Sequence, residues 1–198
     1  MSAPGTGGFD VTGRRVTVVG AARSGIAAAA LLARRGADVV LTDSRPLVPE
    51  ADGLVAVGVR LALGGNDAGL ADADLVVMSP GIPPTLPVVE SARRRGVPVI
   101  AEVELASRWL AGPIVAITGT KGKSTTTTLV GRMLRAAGFD VTVGGNIGEP
   151  LSGQVEQSTP DTVHVVEVSS FQLELVDTFH AWVAVMVNLL PDHLDHAH

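Results

Sequence analysis

PIVAITGTKGKSTTTTLVGRMLRAAG (residues 113–138) passes from a short β-branched run through a glycine-bearing loop into a helical pattern. PIVAIT (113–118) reads as a strand and KSTTTTLVGRMLRAAG (123–138) as a helix, with GTKGKST (119–125) at the join. That loop holds the only two lysines of the chain, Lys121 and Lys123, beside thirteen arginines elsewhere. A compact, mobile ammonium suits a crowded phosphate cage better than a planar guanidinium fork does.

The phosphate-loop pattern G-x-x-x-x-G-K-[ST] is met here except at its first glycine, where Ile117 stands. The physics survives the shorter form, Gly119-Thr120-Lys121-Gly122-Lys123-Ser124-Thr125. N–H groups at a helix start are unpaired, and the helix dipole favours an anion there. Lys123 is then placed to reach the β- and γ-phosphates of ATP, and the Ser124 hydroxyl to ligate Mg²⁺. The competing reading makes Ser124 and the threonines simple helix caps.

Outward from this loop, β-branched runs alternate with helical patterns in both directions. Before it come strands at RVTVVG (15–20), ADVVLTDS (37–44), ADLVVMSPG (73–81) and GVPVIA (96–101). Helices fall at 24–36, from about Pro87 to Gly96, and near 102–110. After it come strands near DVTVGG (140–145), TVHVVEVSS (162–170) and AWVAVMVNL (181–189). Such alternation implies an α/β fold with parallel sheets. A Rossmann-like N-terminal domain (1–111) is expected, followed by part of a P-loop-type ATP-binding domain (112–198), with the boundary near Ala111-Gly112-Pro113.

GAARSG (20–25) sits where a dinucleotide fingerprint belongs, but Ala22 replaces the glycine that lets a backbone approach a pyrophosphate. Asp43 lies at a strand end, about where an acidic ribose contact falls. Packing glycines in an ordinary βαβ turn and a nucleotide or phosphate site both stay open here; NAD chemistry is disfavoured. Glu167 interrupts the apolar run VHVVEVSS. It is either a buried acid facing the loop, where it would hold Mg²⁺, or a residue on a solvated strand face. His193, His196 and His198, beside Asp192 and Asp195, resemble a metal cluster, and a polar frayed terminus explains them equally well.

Composition narrows the classes. The chain has 198 residues, 46% apolar residues, a net charge of −5 and no cysteine. No basic stripe is present, which argues against nucleic-acid binding; Arg93, Arg94 and Arg95 read as the solvated C-terminal end of a helix. Disulfides and thiolate metal sites are excluded. The opening MSAPGTGGFD has no apolar signal-peptide core, and AWVAVMVNLL is too short to span a bilayer. A cytoplasmic protein without membrane insertion is expected.

GTKGKST, GGNIG (144–148), EVSSFQLE (167–174) and NLLPDHLDH (188–196), in this order, resemble the Mur ligases, the ATP-dependent amide-forming enzymes of peptidoglycan synthesis. GGNIG with SSFQLE is most similar to the member that joins D-glutamate to UDP-N-acetylmuramoyl-L-alanine through an acyl phosphate. The resemblance implies that the first domain holds the UDP-sugar, through Arg23 and Ser24 of GAARSG, Asp43-Ser44-Arg45, and Ser79 and Gly81 of SPGI. It implies that Asn146, Ser169 and Gln172 meet the same substrate, and that Lys123, Glu167 and His193 are catalytic. Ser124, Glu167 and His193 would be the metal ligands, and the complete enzyme a monomer. Other Mur-type amino-acid ligases and a non-catalytic nucleotide-binding fragment are the alternatives. The carbamylated lysine expected shortly beyond His193 and the C-terminal domain fall outside these 198 residues. The chain alone is therefore expected not to ligate, and its second sheet to be left with an open edge.

Overall fold

A computed structural model describes residues 9–65, 70–83 and 86–191 of the chain. Two parallel sheets are formed. The first has the order β3-β2-β1-β4-β5, from β1 (Arg15–Val19), β2 (Asp38–Asp43), β3 (Arg60–Leu63), β4 (Leu75–Met78) and β5 (Val99–Ala101). The second has the order β7-β8-β6-β9, from β6 (Ile114–Thr118), β7 (Asp140–Gly145), β8 (Thr162–Glu167) and β9 (Val183–Met186). Helices α1 (Arg23–Arg34), α2 (Pro87–Arg94), α3 (Glu102–Ser107) and α4 (Lys123–Ala136) connect them, with short helices α5 (Leu151–Gln154) and α6 (Ser170–Leu173). The α/β class and every strand and helix that the sequence pattern announces are present.

The runs lack polar alternation because the inner strands of each sheet are covered on both faces, as parallel sheets require, whereas edge strand β9 is largely exposed. β4 and β8 are buried along their whole length. Two differences from the pattern have local causes. β3 and the 3₁₀ segment Pro49–Val57 carry no sequence period, since β3 is a four-residue edge strand. β8 stops at Glu167 because Ser169 caps α6: its Oγ accepts from the Gln172 N–H, while Gln172 Oε1 accepts from the Ser169 N–H.

One apolar cluster is shared by the two sheets. Val19, Leu31, Val76 and Met78 of the first unit pack with Ile114, Leu151, Val166 and Leu175 of the second. Further clusters cover the far faces, with Leu32, Leu41 and Leu54 on one side and Val115, Ile117 and Val165 on the other. The connecting segment is also fixed, because Ser158 Oγ accepts from the Ala111 N–H at 2.9 Å. Arg35 on the surface reaches Glu156 at 3.1 Å.

Helix α3 sends two buried carboxylates across this junction. Glu102 Oε1 accepts from the Ser152 N–H at 2.6 Å, while Glu102 Oε2 and Ser152 Oγ have no partner. Burial pushes the Glu102 carboxyl up to about 7, against the lowering effect of Ser152. On β8, His164 is wholly buried, with Thr142 Oγ1 and Ser158 Oγ each 2.8 Å from a ring nitrogen. Burial pushes it down to about 4, opposed by the charge of Asp140.

The two groups bias stability in opposite directions. The Glu102 contribution is fully present below its ordinary value of 4.5 and is lost as pH rises through 7. The His164 contribution is present above its ordinary 6.5 and is lost as pH falls through 4. Each is worth about 3 kcal/mol over its window, so the slopes oppose between the two. Glu102→Gln is expected to raise the thermal midpoint at pH 8, by the equivalent of about 1–3 kcal/mol, and to leave it unchanged at pH 4. Between these limits the variant should gain stability with pH, mainly through His164, with Glu104 adding to the slope near its ordinary value of 4.5. Equal midpoints for both proteins at every pH would disprove the burial argument.

Candidate functional site

The C-terminal ends of β6, β7 and β8 bring three loops together. β6 and β8 pair with Ile117 opposite Glu167, and β7 and β8 pair with Gly145 opposite Glu167. The loop after β6 runs into α4, whose first residue is Lys123 and whose N-cap is Gly122. Among the described residues no backbone carbonyl accepts from the N–H groups of Gly122, Lys123, Ser124 or Thr125, so four donors face outward at the positive end of a fourteen-residue helix. Ser124 and Thr125 are exposed. Lys123 folds back over its own loop and donates to Gly119 O at 2.7 Å and Thr120 O at 3.1 Å. Lys121 is exposed, and its N–H, like that of Thr120, is turned toward Asn188.

Glu167 is 2% exposed. This overturns the solvated-face reading of the sequence: the acid ends a strand buried on both sides. Its Oε1 accepts from Asn146 Nδ2 at 2.9 Å, and its Oε2 has no partner among the described residues. The loop after β7 can lie this close because Gly145, at φ 94°, has no side chain; a Cβ there would overlap Glu167 O. Ser169 and Gln172 follow directly and are engaged with each other in the α6 cap, leaving Gln172 Nε2 buried without a partner. Asp192, His193, His196 and His198 lie outside the described residues.

In the first unit the site residues gather at the switch point of the sheet, where β2 and β4 flank β1. Ala22, Arg23, Ser24 and Pro80 form one wall of a groove of about 240 Å³, and Gly145, Asn146, Ile147, Gly148 and Pro150 form the other. Arg23, Ser24 and Asn146 are therefore neighbours across the two units. Gly25 is demanded by packing, since a Cβ would overlap Gly20 O. The packing reading of this glycine turn is thus correct for Gly25, while Ala22 lines the groove.

Other expected residues support the loop from beneath. Ser79 Oγ donates to Gly20 O at 2.6 Å, and Ser79 is buried. Asp43 accepts from the Ala21 N–H at 2.7 Å and from Arg45 Nε and N–H, both at 2.9 Å. The side-chain bond from Arg45 leads the causes that hold the Asp43 carboxyl down at about 2, with burial acting the other way. Both Asp43 oxygens thus point into the protein, and Arg45, half exposed, carries the charge outward. Ser44 and Gly81 are exposed beside them.

Two features escape sequence reasoning. Asn188, just past β9, reaches the loop at Thr120 and Lys121. Glu104, two residues after Glu102, accepts from Asp177, Thr178 and Phe179 N–H groups ahead of β9. The partners lie 67 to 75 positions apart, and no spacing rule connects them.

Residues 14–101 match the family model for the N-terminal domain of MurD-like Mur ligases, and residues 117–198 match that for the Mur ligase middle domain. The UDP-N-acetylmuramoylalanine–D-glutamate ligase of Pelotomaculum thermopropionicum is 51% identical over 94% of the chain. That of Anaeromyxobacter dehalogenans is 53% identical over 98% of it. The chain spans 42% of the length of each. Among solved structures, UDP-N-acetylmuramate:L-alanyl-gamma-D-glutamyl-meso-diaminopimelate ligase from Neisseria meningitides resembles it with a TM-score of 0.56 at 21% identity, over 93% of this chain and 63% of that one. The UDP-N-acetylmuramate-alanine ligase of Thermotoga maritima does so with a TM-score of 0.53 at 23% identity, over 93% and 43%. Both likenesses are of fold.

Proposed function

The chain belongs to the Mur ligase family, and on that premise we propose that its site serves the ATP-dependent joining of D-glutamate to UDP-N-acetylmuramoyl-L-alanine. The observation that carries this reading is the groove between Arg23–Ser24 and Asn146, with Asn146 bonded to Glu167 beside the phosphate-type loop. A UDP-sugar seated there would have its anionic part near Arg23 and its acyl end directed toward Glu167 and the start of α4. The relatives named for this reaction at about half identity support the choice of amino acid. In this reading the two sheets are two domains that meet at Ala111–Pro113, one for the uridine nucleotide and one for ATP.

The residues divide the chemistry as follows. The alanine carboxylate attacks the γ-phosphorus of ATP, and ADP leaves, giving an acyl phosphate. The glutamate amine then attacks the acyl carbon and loses a proton, and the tetrahedral intermediate expels phosphate. Lys123 swings from its two carbonyls onto the transferring phosphoryl group, and the outward N–H groups of Gly122 to Thr125 hold the neighbouring oxygens. Glu167 Oε2 and the Ser124 hydroxyl suit Mg²⁺, which takes one or two protein oxygens together with phosphate. When bound, the ion neutralises phosphate charge and orients the oxygens.

Calorimetric titration tests the assignment. The chain is expected to bind UDP-N-acetylmuramoyl-L-alanine and not NAD, and Asn146→Ala to weaken that binding by about tenfold. Binding of NAD without the UDP-sugar would overturn the reading.

A further inference from the structure

We propose that Asn188 is a positioning residue for the nucleotide loop, holding its first half so that its second half meets polyphosphate. This rests on the ATP reading of the loop given above. The side-chain amide of Asn188 bonds both ways along one stretch of backbone. Its Oδ1 accepts from the Thr120 N–H at 3.1 Å and the Lys121 N–H at 3.0 Å, and its Nδ2 donates to Lys121 O at 2.9 Å. The Asn188 carbonyl takes the Thr120 N–H as well, at 3.2 Å. Two residues further on, Leu190 N–H donates to Thr120 Oγ1 at 2.9 Å, and that hydroxyl donates to Leu190 O at 3.1 Å.

These contacts split the loop. The Thr120 and Lys121 donors are spent on Asn188, whereas those from Gly122 to Thr125 have no carbonyl partner among the described residues. An anion is thereby directed to the α4 end. Lys123 depends on the same arrangement, because the carbonyls that park its ammonium belong to Gly119 and Thr120. A loop free to turn at Thr120 would lose both the parking position and the register of the free donors. The strand that supplies Asn188 pairs with β6 up to Thr118–Met186, so the latch is anchored on the same sheet as the loop it holds.

The test compares the chain with Asn188→Ala and Asn188→Asp, measuring MgATP affinity, UDP-N-acetylmuramoyl-L-alanine affinity and amide exchange. In Asn188→Ala, exchange at Lys121 should accelerate, and at Thr120 less so because the backbone carbonyl at 188 is kept, while β6 and β8 stay protected. MgATP affinity should fall about tenfold or more, with UDP-sugar affinity unchanged. Asn188→Asp keeps the acceptor, so slow exchange should persist while its charge weakens MgATP. Unchanged MgATP affinity in Asn188→Ala would overturn the proposal. Tighter binding would overturn it too, showing that Asn188 competes with phosphate. If the parent chain binds no MgATP while Asn188 still controls exchange, the nucleotide reading fails and the latch remains as plain structure.

Discussion

Replacing Lys123 with Ala is expected to cut ATP-dependent acyl phosphate formation by about 10³-fold or more in a complete ligase, with the fold intact. A single preorganised donor aimed at developing charge is worth 10² to 10³, and a full ammonium at a phosphoryl group more. The structural cost is small because both Lys123 bonds stay inside its own loop, to Gly119 O and Thr120 O. Two carbonyls lose a donor in a region water can reach, a change of roughly 1 kcal/mol. Lys123→Arg should fail nearly as badly, since a planar fork cannot repeat the point contact of an ammonium. Rapid-quench measurement of ADP formation, alongside a thermal melt, separates the two effects. Activity within tenfold of the parent would remove Lys123 from the transfer step.

Glu104→Ala is expected to give the largest loss of stability, on the order of 3–5 kcal/mol. The carboxylate is fully buried and accepts from three consecutive backbone N–H groups, the Thr178 hydroxyl at 2.6 Å and Arg108 Nε at 2.7 Å. Burial alone would raise its titration point, but these donors outweigh it and hold the carboxyl below its ordinary value. Truncation takes this acceptor from all of them and leaves Arg108 only its longer pairing with Asp177, at 3.7 Å. The thermal midpoint should drop on the order of 10 °C. Glu104→Gln should be damaging as well, because its NH₂ would face donors. The contribution is present above the ordinary value of 4.5 and is lost as pH falls through the depressed folded value. The deficit of the Gln variant should accordingly shrink in acid. A midpoint within 2 °C of the parent at pH 7 would show that the bonds carry no net stability.

The sheets were legible because parallel strands buried on both faces write long apolar runs, and helices close at glycines. The strand-to-helix loop is legible from Gly119 to Ser124, where local backbone geometry and charge are encoded in consecutive residues. Edge strand β3 is not, since one exposed and three half-buried residues leave no pattern. Asp43 is legible as an acid at a strand end, but the direction of its oxygens is set by Ala21 and Arg45, and a motif does not carry that. Glu102 and Glu104 read as the polar start of an ordinary helix. Their partners come from α5 and from the segment before β9, and only the tertiary fold brings these near.

The apolar cluster common to both sheets, the Glu104 bonds and the fastened Ala111 connection tie the two units together at three places and resist hinge motion between them. The distance from the groove at Arg23 to the first turn of α4 is then a fixed length, and the body works as a gauge. A ligand with arms of matching reach spans both ends without bending the protein. One shortened or extended by a few bonds can engage either end and never both at once.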